Sequence, residues 1–237
     1  ILREFPLITA LRPGTENEIG KNKIREYREL YSAEIHILHM PPIDCSSSAI
    51  REACRAGNPL TGLVDEKVEE YIIANYTKIK ELDEYLRRVL KPKRYTHSLG
   101  VVEMAGTLAE IYGADVQKAR FAGLVHDIAK CNSCEMMNRL IREYGVELRY
   151  INNPELAYSK VGAAMLKQDF DICDEDVLMA VSSHTAGRYG MTLLEEIVYV
   201  ADAIEMNRTY AEASALRELA KHDIDKACLE IIDYSIA

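Results

Sequence analysis

Over the last two thirds of the chain, apolar residues recur three and four positions apart, the spacing that places them on one face of an α-helix. Helix starts are marked by Asp115, by Asn153 before a proline, by Asp174, and by a capping box over residues 192–195. Strand-like alternation is missing from this region. Residues 77–237 are therefore predicted to form an all-helical domain, and the protein is predicted to be mainly α.

The first 76 residues have a different pattern. Strands are predicted over Phe5–Leu11 and Ala33–Met40, with a polar helix from about Glu16 to Leu30 between them. Two more helices are predicted, one opened by the serines at 46–48 and one over Asp65–Asn75. This is a small α/β, βαβ-type fragment. We expect it to be incomplete, because the chain begins abruptly with an apolar stretch that resembles an internal strand.

Charge and composition limit the classes of function. A net charge of −9 argues against a broad basic face for nucleic acid, and no apolar stretch is long enough for a membrane span. The N-terminal residues also lack a signal-peptide pattern, so a cytoplasmic location without membrane contact is expected. The cysteines are predicted to be reduced, and the CxxC at 131–134 has no second pair at zinc-ribbon spacing.

Several polar side chains of the helical region are predicted to point inward. His126 continues an apolar helical stripe and is followed by Asp127 in LVHDIAK. His97 lies four residues before a core valine, and His184 follows the apolar residues of another helix at i, i+3, i+4, i+7 spacing. Asp202 interrupts a helix with almost no polar side, where an isolated carboxylate is costly unless it is paired or binds a metal.

Each of these residues has a simpler interpretation when taken alone. An inward histidine is more often a hydrogen-bonded core residue, and Asp202 can pair with Arg208. Four helices that each send a histidine or an aspartate inward favour a metal site. Imidazole and carboxylate ligands together suit iron, manganese or zinc.

The flanking strings are more specific than the His-Asp pair. RYTHSLGV, ARFAGLVHDIAK and SSHTAGRYGMTLLEEIVYVADAIE resemble the bacterial symmetrical bis(5′-nucleosyl)-tetraphosphatases, the YqeK-type proteins of the HD superfamily. The resemblance runs from about Glu81 to the C-terminus. It implies an all-helical HD fold, an iron-containing centre, and symmetrical cleavage of diadenosine tetraphosphate to two ADP.

Site residues follow from this resemblance position by position. It implies that the metal is held by His97, His126, Asp127 and Asp202. Catalytic roles fall to Asp127, Lys130 and His184, the last of which faces a second metal or the substrate phosphate. Substrate contacts are implied for Lys130, Arg188, Arg208 and Tyr158. The alternative for the three cations is ordinary solvated surface charge.

Tyr158 departs from the family pattern, because the relatives usually carry a histidine there. A phenol with a pKa near 10 is a poor ligand for most metals. We therefore expect one tightly bound metal per chain and a weak second site. The alternative is that Tyr158 packs on the core and hydrogen-bonds a substrate phosphate.

Residues 1–76 resemble a second family. The string IDCSSSAIREACRAGNPLTGLVDEKVEEYI resembles the C-terminal end of nicotinate-nucleotide adenylyltransferases, a Rossmann-like nucleotidyltransferase fold. The resemblance implies a phosphate site at Ser46, Ser47, Ser48 and Arg51, although a serine-capped helix explains the serines equally well. A GxFxPxHxGH turn is not found in these residues. We therefore expect no adenylyltransferase activity from them.

The leading hypothesis is a metal-dependent hydrolase of dinucleoside polyphosphates. Two alternatives stay open: an HD nucleotidase that acts on mononucleotides, and a nucleotide-sensing module with little or no turnover. The expected partner is a small nucleoside polyphosphate and not a nucleic acid, and a homo-oligomer is compatible with the sequence.

Overall fold

A computed structural model describes residues 6–10, 18–38, 46–56 and 58–236. The chain divides into two compact units, Ile1–Ile73 and Ala74–Ala237. Most of the described chain is helical, as predicted. None of the described helices is both long enough and apolar enough to cross a membrane.

The first unit contains a two-stranded parallel sheet. Strand β1 (Leu7–Ala10) pairs with β2 (Ile35–Leu38), with Leu7 opposite Ile35, and helix α1 (Glu18–Tyr31) connects them. The predicted βαβ order is confirmed for these elements. The strands are shorter than predicted, and residues 5, 11, 39 and 40 of the predicted strands lie outside the described residues. Helix α2 (Ser47–Ala56) follows.

Helix α3 differs from the prediction. It was expected to end near Asn75, but it runs over Glu66–Val89. No glycine or proline interrupts the sequence between these two residues, and a single asparagine costs a helix well under 1 kcal/mol. The change in sequence texture near residue 76 therefore falls inside a continuous helix.

The second unit is a bundle of helices whose order is the order of the chain. After α3 the helices are α4 (Pro92–Tyr112), α5 (Val116–Val125), α6 (Cys134–Glu143), α7 (Pro154–Asp169), α8 (Glu175–Ser183), α9 (Leu193–Ile204), α10 (Ala213–Ala220) and α11 (Ile224–Ile236).

The predicted caps of this unit are observed. The carboxylate of Asp115 accepts hydrogen bonds from the amides of Gln117 and Lys118, and Asp174 caps α8 in the same way. Thr192 and Glu195 form the predicted capping box at the start of α9. These caps fix where α5, α8 and α9 begin, and therefore where their last turns deliver side chains.

Helix α9 lies in the middle of the bundle and packs against α4, α5, α8, α10 and α11. Its apolar residues Ile197, Val198 and Val200 are fully buried, as a helix without a polar side requires. Burying each of them contributes about 2 kcal/mol. Helices α4 and α5 approach closely at Gly123, where an added Cβ would lie 3.2 Å from the Val101 carbonyl oxygen. This central packing brings the predicted metal ligands together.

Candidate metal centre

Side chains from α4, α9 and the end of α5 converge in the bundle interior. His97 Nε2 lies 2.9 Å from Asp202 Oδ1, and His126 Nε2 lies 3.3 Å from Asp127 Oδ2. His126 Nε2 and Asp202 Oδ1 are 3.9 Å apart. His97, His126 and Asp127 are buried, and Asp202 keeps 18% of its side chain exposed. The four residues that the resemblance assigned to the metal thus form one cluster.

His184 borders this cluster from the end of α8. Its Nε2 lies 3.7 Å from Asp127 Oδ1, and its ring centroid is 4.9 Å from that of His126. Its side chain is fully buried. Asp127 therefore has a histidine on each side, with one of its oxygens towards each.

The histidine rings are held by their other nitrogen atoms. His126 Nδ1 donates to the Gly123 carbonyl at 2.7 Å, and His184 Nδ1 donates to the Val181 carbonyl at 2.6 Å. A carbonyl can only accept, so the Nδ1 atom of both rings carries a proton. The Nε2 lone pair of each neutral ring is left for a metal, which is the usual arrangement of metal-ligating histidines.

The free nitrogen atoms indicate that the cluster fits a cation. The Nε2 atoms of His97 and His126 are buried and lack a hydrogen-bond partner in the described chain, although carboxylate oxygens lie near them. Potential ligand atoms of His97, His126 and Asp127 all lie within 4.8 Å of one another. The same is true of His126, His184 and Asp202. Unpaired imidazole nitrogens facing carboxylates are a donor set for a divalent transition metal.

The electrostatics of the cluster agree with this interpretation. Burial opposes the charged form of His126, but the carboxylates of Asp127 and Asp202 outweigh it and raise the pKa of His126 to about 9. Burial likewise opposes ionisation of Asp127, yet His126 and His184 hold the pKa of this carboxyl well below its usual range. Without a metal, a proton on His126 balances the two carboxylates. A bound metal would supply this positive charge and release the proton.

Two arginines line the rim of the cluster. Arg208 Nη2 donates to Asp202 Oδ1 at 2.8 Å, so the pairing considered for Asp202 is present alongside its approach to His97. Arg94 Nη1 donates to Asp127 Oδ2 at 3.0 Å. Both guanidinium groups are about one third exposed, so each has donors that can reach a bound anion.

Lys130 and Tyr158 lie together beside His184. The ammonium nitrogen of Lys130 is 3.7 Å from the centroid of the Tyr158 ring and 2.9 Å from Glu155 Oε2. The Tyr158 ring is 5.3 Å from that of His184, and burial raises the pKa of its phenol. Tyr158 is therefore a neutral, buried neighbour of the cluster.

Arg188 is held by a different partner. Its Nε donates to Oε1 of the fully buried Glu195 at 2.7 Å, and Ser183 Oγ donates to the same oxygen at 2.7 Å. This ion pair fixes the turn between α8 and α9. The substrate contact expected of Arg188 stays a prediction.

Comparisons with known proteins place this geometry in a family. The sequence pattern of the HD domain matches residues 94–207, which contain every side chain of the cluster. The chain is 40% identical over 148 residues to the symmetrical bis(5′-nucleosyl)-tetraphosphatase of Bacillus subtilis, covering 62% of this chain and 80% of that protein. The chain belongs to the HD-domain family of symmetrical bis(5′-nucleosyl)-tetraphosphatases.

A solved structure and a two-function relative extend the comparison. A Clostridium acetobutylicum protein described as a "predicted HD superfamily hydrolase involved in NAD metabolism" is 43% identical, with a TM-score of 0.64. The match covers 66% of this chain and 84% of that one. A Mycoplasma genitalium protein named probable nicotinate-nucleotide adenylyltransferase/Ap4A hydrolase is 30% identical over 81% of this chain and 54% of its own length. The resemblance to the tetraphosphatase family is confirmed, and HD membership implies a divalent metal.

The phosphate site expected in the first unit is only partly described. Ser46 Oγ accepts a hydrogen bond from the Ala49 amide at 3.1 Å, so this serine caps α2. The side chains of Ser47, Ser48 and Arg51 lie outside the described residues, as does Cys45. The anion site stays a prediction. The described cysteines are free thiols.

Sequence reasoning missed two residues of the tetraphosphatase centre. Arg94 lies three residues before His97 on the same helical face, a spacing that could have indicated its position. Glu205 is buried, lies three residues after Asp202, and has Oε1 3.2 Å from His97 Nδ1. An added Cβ at Gly100 would collide with this carboxylate. A glycine four residues before a core helix position was the only signal in the sequence.

Proposed function

We propose that this chain hydrolyses dinucleoside polyphosphates at the HD centre, cutting diadenosine tetraphosphate into two ADP. The observation that carries the proposal is the cluster itself: buried imidazole nitrogens without hydrogen bonds face two carboxylates under Arg94 and Arg208. A metal cluster with cations at its rim suits a substrate that is a chain of phosphates. Identity to the tetraphosphatases over most of their length supports this substrate class.

His97, His126, Asp127 and Asp202 would hold the metal. When bound, such an ion supplies Lewis acidity towards phosphoryl oxygens and lowers the pKa of water towards neutrality. The donor set of three imidazoles and two carboxylates around the cluster supports iron as the native metal, with manganese or zinc as substitutes.

The chain's own residues divide the remaining work. Arg94 and Arg208 would orient the carboxylates and offer their free donors to non-bridging phosphate oxygens. We propose that Lys130 stabilises charge on the departing oxygen and that His184 holds or moves a proton near Asp127. Arg188 and Tyr158 are proposed as further substrate contacts.

The overall reaction is balanced by one water molecule. The water oxygen bonds to one of the two middle phosphorus atoms, and the bond from that phosphorus to the central bridging oxygen breaks. The bridging oxygen leaves with the other half. Each half is then an ADP, and the two protons of water are shared among the products and solvent.

Product identification tests this proposal. Metal-loaded protein incubated with diadenosine tetraphosphate is expected to yield ADP alone, resolved by anion-exchange chromatography. AMP plus ATP would show attack at an outer phosphate, and release of phosphate from mononucleotides at a comparable rate would favour the nucleotidase alternative. Binding without product in a single-turnover experiment with iron or manganese would favour the sensing alternative.

We propose that residues 77–237 carry this activity and that residues 1–76 are the C-terminal part of an adenylyltransferase-like domain. Alignment of the Mycoplasma genitalium two-function relative to 81% of the chain supports this division. Cytoplasmic location, homo-oligomer formation and the lack of a nucleic-acid partner stay predictions.

A further inference from the structure

Two clefts of nearly equal size border the metal centre. Their volumes are about 520 and 530 Å³, each within the range of pockets that hold a small ligand. Lys93 and Arg94 line both clefts and therefore separate them. Arg94 also donates to Asp127, so the boundary between the clefts lies beside the metal centre.

The clefts differ in what lines them. The first, here named the histidine cleft, is lined by His97, Asn207 and Arg208 among others, and thus opens directly on the proposed ligands. The second, here named the lysine cleft, is lined by Lys91, Lys93, Arg94, Lys130 and the turn 131–133. Among its described lining residues there is no carboxylate.

The cations of the lysine cleft are incompletely neutralised. Lys130 has Glu155 as a partner and Arg94 has Asp127. Lys91 and Lys93 have no ion pair in the described part of the chain. Helix α6 begins directly after Ser133, so the positive end of its dipole adds to the field of the lysines. In a protein of net charge −9, a concave patch of four cations without a facing carboxylate fits a small polyanion.

We propose that the lysine cleft binds one diphosphate half of a dinucleoside polyphosphate while the histidine cleft binds the other. The polyphosphate crosses the boundary formed by Lys93 and Arg94, which brings its middle to the metal centre. Two clefts of equal size, one on each side, thereby place the central bridge of a symmetric substrate at the site of attack. This inference rests on the proposed function and adds the place of each half and the residues that select a four-phosphate chain.

Binding of ADP to metal-loaded protein tests the two-cleft arrangement independently of turnover. Calorimetric titration of the wild type is expected to show two ADP per chain, with adenosine binding far more weakly because it has no phosphate. Lys91→Glu should weaken one of the two sites by about tenfold, the effect of losing a charge-assisted contact and adding repulsion. The other site should change by less than twofold.

Lys226→Glu is the matched control, because Lys226 is an exposed lysine on α11 that lies away from both clefts and forms no ion pair in the described chain. Both ADP sites should keep their wild-type affinity in this variant. Metal analysis of all three proteins checks that metal content is equal.

A single ADP per chain in the wild type, or equal affinities in Lys91→Glu and wild type, would overturn the proposal. A short oligoribonucleotide that displaces ADP at lower concentration than ADP itself would also overturn it, because the lysines would then serve a nucleic-acid backbone. Failure of the tetraphosphatase assay alone leaves the ADP titration intact, so the two failures are distinguishable.

Discussion

At the scale of single residues, the metal centre depends on how its histidines are aimed. His126 and His184 lie at the ends of α5 and α8, where a ring nitrogen reaches a carbonyl three residues earlier. His97 lies inside a helix, where such carbonyls are already used, and it relies on Glu205 instead. Glu205 is in turn held by the backbone and side-chain amides of Asn207 through Oε2.

Glu205→Gln should therefore loosen His97 rather than remove a ligand. The amide would present donors to the Asn207 donors, so the side chain would have to turn away from one of its partners. We expect metal affinity to fall by about ten- to a hundredfold, the usual cost of disturbing a partner behind a metal ligand. The measurement is metal content after dialysis against a graded chelator.

Glu103→Gln, an exposed glutamate on the same partner helix α4, is the control and should retain metal like the wild type. Thermal unfolding of the metal-free Glu205→Gln protein separates a general loss of fold from a local effect. Wild-type metal affinity in a folded Glu205→Gln protein would contradict the role given to this carboxylate.

Tyr158→His is expected to add a ligand beside His184. The wild type should hold one tightly bound metal per chain, because a neutral phenol with a raised pKa binds metal poorly. The variant should hold close to two and turn over faster, because two-metal sites stabilise both attacking and leaving oxygens. Metal counting by mass spectrometry is read beside turnover.

Tyr150→His controls for the addition of a histidine, since Tyr150 lies in the loop before α7 and pairs with Arg149. Two stoichiometric metals in the wild type, or a Tyr158→His protein no faster at saturating metal, would refute the expectation.

At the scale of elements, the turn between α8 and α9 sets where His184 and Asp202 lie. Glu195 is both the acidic member of the capping box and the partner of Arg188 and Ser183, so one carboxylate serves the helix start and the turn. Burial opposes its ionisation, but Arg188 and the Thr192 amide lower the pKa of Glu195 to about 2.

Glu195→Gln is expected to destabilise the protein by about 2 kcal/mol at neutral pH, the cost of replacing a charged hydrogen-bond acceptor. Because the folded-state pKa lies below the ordinary value of 4.5, the ionised form stabilises the fold above pH 4.5. This contribution is lost as the pH falls towards 2. Urea unfolding at several pH values measures the difference from wild type.

Glu143→Gln, an exposed member of an i, i+4 pair, should change stability by a few tenths of a kcal/mol at most. A Glu195→Gln penalty that is the same at pH 3 and pH 7 would show that the charge of this residue contributes nothing.

At the scale of the whole molecule, the cluster joins helices that are distant in sequence. His97 and Asp202 belong to α4 and α9, and Asp127 follows α5. A metal that binds only when these helices are assembled stabilises the folded state by mass action. The metal is thus expected to act as a cross-link within residues 77–237.

Adding metal at a hundred times its dissociation constant should stabilise the protein by about 3 kcal/mol. The free energy of unfolding in urea, followed by far-ultraviolet circular dichroism, gives this value with and without chelator. Asp127→Ala should lose both the metal and the stabilisation. An equal response to metal in Asp127→Ala and wild type would place the bound ion elsewhere.

Local chemistry accounts for what the sequence by itself determined. Helix starts at Asp115, Asp174 and Thr192 follow from side chains that cap amides two and three residues away, so no distant contact is needed. The inward direction of the histidines and of Asp202 follows from helical periodicity. Family membership follows from strings around these same residues.

Tertiary structure decided the rest, because it depends on which residues of different helices meet. Glu205 contacts His97 across 108 positions of sequence, and Arg94 contacts Asp127 across 33. Arg188 found Glu195, a partner that periodicity does not reveal. The two clefts exist only where α4 passes the turns that follow α5 and α9. Packing, which is not local, joined the predicted ligands into one centre and chose the residues that hold them.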